Sequence, residues 1–131
     1  IRAGAYVEGG STITQQLAKN QYFTQDKKII RKVAEMFMAF KIESVLDKDK
    51  IFELYVNSIF FGNNYYCVAD ASLGYFGKTP SVMNFDECTL LAGIPNAPSN
   101  YYPVASEELS RQRQDQVIEK MKAAGFLKEV E

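Results

Sequence analysis

Between Lys27 and Leu46, apolar side chains recur at Ile29, Val33 and Phe37, and one position on at Ile30, Ala34 and Met38. Two adjacent stripes at i, i+4 spacing make a wide apolar face, which predicts an amphipathic helix over that span. An earlier helix is predicted from Thr12 to about Tyr22 or Phe23. Thr12 and Gln15 stand at capping-box spacing there, with Ser11 as the competing N-cap. Asp47 caps a third helix, in which Ile51, Leu54, Tyr55 and Ile59 face one way, and Gly62-Asn63-Asn64 supplies the turn after it. A fourth runs from about Val68 to Phe76 and stops at Gly77 as a C′ glycine. Asn84 and Glu87 pair to cap a short helix through Ala92, ended by Gly93. Pro95, Pro98 and Pro103 predict a long irregular connection from Ile94 to Val104, and a loop of that length is more often functional than incidental. Ser106 caps the last helix, with Glu107 and Glu108 favourably placed in its first turn; it runs to Ala124 and Gly125 closes it. No strand alternation is present, so the expected fold class is mainly α.

Length and composition narrow the class. A chain of 131 residues suffices for one domain with a proper core. The formal net charge of -1 makes the chain no polycation, so no nucleic-acid partner is expected. Charge is uneven all the same. From Leu17 to Lys41 six cations (Lys19, Lys27, Lys28, Arg31, Lys32, Lys41) face two anions (Asp26, Glu35). A local basic field suits an anionic ligand, although from charge alone a solvated helix face is the favoured explanation. The chain has no histidine, which excludes Ser-His-Asp and Cys-His catalysis and histidine zinc sites within it. Two distant cysteines, Cys67 and Cys88, make no metal motif; they could pair, but burial as small apolar residues is the expectation. No apolar run reaches 18 residues, so no segment is expected to span a membrane. The opening Ile1-Arg2-Ala3 reads as the middle of a longer protein.

The chemistry gathers where the first helix begins. GGSTITQQLAK, Gly9 to Lys19, puts two glycines, three hydroxyls, two amides and an ammonium into eleven residues. A helix N-terminus offers free backbone N–H groups and a partial positive charge. Glycines before it allow close approach, and the hydroxyls of Ser11, Thr12 and Thr14 can donate to oxyanions. Gln15, Gln16 and Lys19 lie in the first turns. Together they form a candidate phosphate or pyrophosphate cradle, without the Gly-Lys-Ser/Thr ending of a P-loop. The competing reading is a well-capped helix. Further on, Lys27, Lys28, Arg31 and Lys32 precede Glu35. Arg31 and Glu35 are i, i+4 and can form a simple intrahelical pair, or Glu35 can orient a row of cations facing phosphates.

These blocks recur with others in a fixed order. GGSTITQQLAKN is followed by RKVAE (Arg31 to Glu35) and KDKIFELYVNSIFFG (Lys48 to Gly62). ADASLGYFGK, LLAGIPNAPSNYYP and RQDQVIEKM (Arg113 to Met121) complete the series. It strongly resembles the peptidoglycan glycosyltransferase family, whose members stand alone or form the N-terminal domain of bifunctional class A penicillin-binding proteins. The resemblance covers nearly the whole chain.

What it implies is specific. The fold would be lysozyme-like and helical, here truncated at its N-terminus. The parent would polymerise lipid II into a growing β-1,4 glycan strand at the extracytoplasmic face of the bacterial cytoplasmic membrane. The acceptor 4-hydroxyl attacks, undecaprenyl pyrophosphate leaves, and charge building on it is stabilised by fixed dipoles and cations. The resemblance assigns Ser11, Thr12, Gln15, Gln16 and Lys19 to the donor side of the cleft. It makes Glu35 an active-site glutamate near the leaving pyrophosphate, with Arg31 and Lys32 beside it. Lys27 stands where members often carry arginine, which loses the bidentate fork. Ala34 stands where some have a further lysine. Asn96 and Arg113 match positions that help line the donor cleft. Glu53, Tyr55 and Asn57 fall in a block read as mainly structural. No cofactor is implied, beyond a divalent cation (Mg or Mn) that accompanies pyrophosphate in some relatives; no carboxylate cluster here demands one. Implied partners are moenomycin-type inhibitors, the membrane surface through a jaw and anchor, and cell-wall synthesis proteins.

One departure matters most. The family's Glu-Asp-x-x-Phe-x-x-His block, which carries the general base, should precede GGST and has no counterpart in residues 1–131. The chain is therefore expected to be a partial domain, 1–131, inactive by itself; losing a general base costs about 10²–10⁴ in rate. Two rival classes remain: a non-catalytic binding or scaffold module of the cell-wall machinery, and a lysozyme-like hydrolase. The hydrolase would require a second carboxylate, and Glu35 has no obvious partner in sequence.

Overall fold

The computed structural model describes residues 12–22 and 29–127. They divide into two units, at Tyr55 and Val56. Among the described residues every regular element is helical.

The first unit holds α1 (Ile13–Tyr22), α2 (Ile29–Val45) and most of α3 (Lys48–Val56). Thr12 starts α1 as expected. Its hydroxyl accepts from Gln15 N–H at 3.1 Å, and Gln15 Oε1 accepts from Thr12 N–H at 3.0 Å. These reciprocal bonds satisfy donors a helix start would otherwise leave open. Asp47 caps α3 through a 2.8 Å bond from Lys50 N–H. Leu17 and Ala18 of α1, Ile42 of α2 and Ile51 of α3 make the core, with Met38 and Leu46 against it.

The apolar periodicity of α2 is real, but its stripes do not face this core. Glu35, Ala39 and Ile42 are the buried side, whereas Ile29, Ile30, Val33 and Phe37 are exposed. Ile42 meets Leu17 and Ala18 of α1 on that side. Ile59, expected to share a face with Ile51, lies beyond the end of α3 and in the second unit.

The second unit contains α4 (Val68–Phe76), α5 (Phe85–Gly93), the single turn α6 (Pro98–Tyr101) and α7 (Glu107–Ala123). Gly77, with φ of 65°, ends α4 as expected. The Asn84–Glu87 capping box forms, with both bonds at 2.9 Å, and the Ser106 hydroxyl caps α7. Cys67 is no packing residue. Half-buried, it caps α4 by accepting from Asp70 N–H at 3.4 Å, and Cys88 is exposed. Gly93 is not a left-handed stop either. It sits inside the last turn of α5, where a Cβ would come to 3.0 Å from Arg113 Cγ. The stretch 94–104, expected to be irregular, winds into a 3₁₀ turn, Ile94–Asn96, and then α6. Pro95 and Pro98 sit in the first positions of those turns, where a missing N–H costs nothing.

The interior between α5 and α7 is partly polar. Gln114, buried, donates from Nε2 to Asp86 O, Asp86 Oδ1 and Thr89 Oγ1, each at 2.9 Å. Arg111 reaches both Asp86 oxygens at 2.9 Å, and this bond, aided by Gln114, holds the Asp86 carboxyl below the usual range. Nearby, the Tyr75 hydroxyl donates to Phe61 O at 2.7 Å, and burial pushes its pKa up.

Candidate functional site

The expected site residues fall into three places. Glu35, Arg31 and Lys32 come together on α2. Glu35 is only 1% exposed, with Arg31 Nε 3.0 Å from Oε1 and Lys32 Nζ 3.4 Å from Oε2. Helical spacing of three and four residues sets this geometry. Burying a carboxylate this deeply is costly unless cations stand beside it. Arg31 Nε and Glu35 Oε1 are in ionic contact without hydrogen-bond alignment.

The second place is α1. The Thr12 and Gln15 side chains are taken up by the capping box. Gln16 Oε1 accepts from the Tyr55 hydroxyl at 3.0 Å, and burial raises the pKa of that phenol, keeping it a donor. Thr14, expected as an oxyanion donor, is instead buried and donates to Glu43 Oε1 at 2.7 Å. Lys19 is exposed. Ser11 and Lys27 lie outside the described residues.

A hollow of about 450 Å³ opens at the start of α1, lined by Thr12, Thr14, Glu43, Lys48, Asp49 and Phe52 among others. Two carboxylates against one ammonium make it a poor seat for an anion. Neither Glu35 nor Arg31 lines it.

Asn96 and Arg113 belong to the second unit. Asn96 is exposed at the end of the 3₁₀ turn. Arg113 is half-buried; its guanidinium lies 5.9 Å from the Tyr101 ring centroid and donates to Gln116 Oε1 at 2.7 Å. The stem passes over Gly93, a close approach that explains the glycine.

Sequence reasoning missed Glu43 as the partner of Thr14 and Tyr55 as the partner of Gln16. Neither carried a local signal, since the bonds span 29 and 39 residues. Among the described residues no group of three or more His, Cys, Asp or Glu could hold a metal ion. None of the described helices is long and apolar enough to cross a membrane.

The family model for transglycosylases matches residues 1–122, and the chain belongs to that family. Its relatives include penicillin-binding protein 1A of Aquifex aeolicus, 45% identical over 126 residues, which are 96% of this chain and 17% of that protein. Penicillin-binding protein 1F of Bacillus subtilis is 42% identical over 127 residues, 97% of this chain and 18% of its own length. The chain thus spans less than a fifth of either relative. Among solved structures, penicillin-binding protein 1A from Haemophilus influenzae superposes with a TM-score of 0.55 at 24% identity. That likeness covers 91% of this chain and 15% of the other, and it supports the helical fold expected from the sequence.

Proposed function

We propose that this chain is the donor side of a peptidoglycan glycosyltransferase whose parent polymerises lipid II into β-1,4 glycan strands. The parent releases undecaprenyl pyrophosphate at the extracytoplasmic face of the cytoplasmic membrane. The observation that carries the reading is Glu35, buried on α2 between Arg31 and Lys32. Glu35 holds the two cations in fixed positions. Preorganised cations stabilise charge that develops on a leaving pyrophosphate, with no reorganisation at the moment of bond breaking. Lys19, exposed on α1, adds a further cation. Arg113, whose guanidinium plane is held over Tyr101, is read as a second donor-side contact. Any divalent cation travelling with the pyrophosphate would owe its ligands to the phosphates rather than to a carboxylate cluster of the described residues. The acceptor hydroxyl must lose a proton to a general base. That group is read as lying outside residues 1–131, so the chain by itself does not polymerise.

The test uses the longer parent. Glu35→Gln and Lys19→Ala should each lower lipid II polymerisation by about 10² or more. Wild-type-like glycan synthesis by either variant removes the assigned role. Calorimetric titration of this chain with moenomycin, a phosphoglycolipid, should show saturable binding that Lys19→Ala weakens.

One observation favours a second reading, a non-catalytic module that docks other cell-wall proteins. The polar side chains of Thr12, Thr14, Gln15 and Gln16 all have partners within the chain. A folded parent that fails to bind moenomycin would support it.

A further inference from the structure

Gln16 lies early on α1, half-buried, and its Oε1 accepts from the Tyr55 hydroxyl at 3.0 Å. Tyr55 stands 39 residues on, near the end of α3, and both residues belong to the first unit. Phenylalanine would fill the same space at 55, so what tyrosine adds there is a hydroxyl. Burial raises the pKa of that phenol, which keeps it protonated and donating across the neutral range.

A glutamine amide has one acceptor atom and one donor atom, and its last torsion turns between two nearly equivalent orientations. A phenol that donates to Oε1 selects one of them. The planar amide then carries Nε2 on its other side, so Gln16 offers a ligand N–H and not C=O. Nε2 has two N–H groups, so a further contact within the chain still leaves one to donate. This polarity decides what α1 can read. N–H complements a phosphate oxygen, whereas a carbonyl in its place would repel one. Lys19, exposed and three residues along the same helix, offers donors as well.

We propose that Tyr55 is a positioning residue of the donor side, its hydroxyl fixing the Gln16 amide so that N–H, not C=O, meets a phosphate oxygen of the ligand. The inference rests on the donor-side reading of α1. It moves Tyr55 out of the mainly structural block in which its sequence context places it. The gain is preorganisation: a side chain already held in the binding orientation loses less freedom when the ligand arrives. A Gln16 without this tether would have to be ordered by the ligand itself.

A double-mutant cycle in the longer parent decides it, read as kcat/KM for lipid II polymerisation with urea midpoints alongside. Tyr55→Phe should lower kcat/KM by about 3–10-fold, the cost of ordering one long side chain. Gln16→Ala should lower it by about 10–100-fold, the loss of a bond to a charged group. The combined variant should be no worse than Gln16→Ala, because without the amide the hydroxyl has nothing to position. Gln16→Glu keeps the acceptor for Tyr55 and removes both N–H groups, so it should lose at least as much as Gln16→Ala. It leaves the ring untouched and gives an independent reading should Tyr55→Phe lose structure. Tyr55→Phe with wild-type kcat/KM and a lowered midpoint makes the bond merely structural and overturns the proposal, while the donor-side reading stands. An equal loss from Tyr55→Phe in the wild-type and Gln16→Ala backgrounds overturns it too, as does an active Gln16→Glu. Wild-type kinetics for Gln16→Ala would remove Gln16 from the donor side and the proposal with it.

Discussion

Two helices of equal length, α2 and α7, both 17 residues, solve the burial of a polar side chain in opposite ways. α7 buries Gln114 and satisfies it across the interface, with three bonds to α5. α2 buries Glu35 and sets cations from its own preceding turn, Arg31 and Lys32, beside the carboxylate. A network that spans two helices fastens them together and specifies their register. The Glu35 pairs with Arg31 and Lys32 join residues three and four apart and so run along one helix. The outer faces differ too. That of α7 is polar, with Glu107, Glu108, Arg111 and Glu119 exposed, whereas α2 shows solvent its isoleucines and phenylalanines.

The contrast can be broken at either helix. The largest effect is expected at α2 and in activity: Glu35→Gln in the parent should cut polymerisation by about 10² or more. Urea unfolding of this chain should reveal the opposite balance at α7. There Gln114→Ala opens a hole and removes the three bonds that Nε2 donates to Asp86 and Thr89, costing about 2 kcal/mol. Wild-type midpoints for Gln114→Ala would mean that the polar interior of the second unit is not what holds α5 to α7. A smaller loss, about 1 kcal/mol, is expected for Thr12→Ala, which removes one half of the α1 capping box.

The smallest effect is a pH dependence. Asp86 titrates below its usual range because Arg111 and then Gln114 bond its charged form. A depressed folded value means that the stabilisation is present above about pH 4 and is lost as the pH falls through that lower value. Asp86→Asn should flatten stability against pH in that acid window, measured by thermal melts. An unchanged slope would place the acid sensitivity elsewhere.

Much of this architecture was legible because it is local. The caps at Thr12, Asp47, Asn84 and Ser106 each join residues three apart, so sequence spacing carries them. The Arg31–Glu35 pair was legible for the same reason. Periodicity located α2 but not the side it buries, since a wide apolar face says nothing about which arc finds a neighbour. Small Ala39 and charged Glu35 are buried instead, with Ile42. The bonds from Thr14 to Glu43 and from Tyr55 to Gln16 span 29 and 39 residues, beyond any local pattern. Prolines at 95 and 98 misled, because they start short turns as readily as they stop long helices.

Gly74 in α4 has an exacting neighbour. A Cβ built there would fall onto the phenol of Tyr65, which itself stacks edge-on against Tyr75 at 5.0 Å. The two positions are therefore one choice rather than two. In a library randomised at both, alanine at 74 should survive only beside a residue at 65 cut back far enough to admit it, so selected clones would carry the pair as a linked allele.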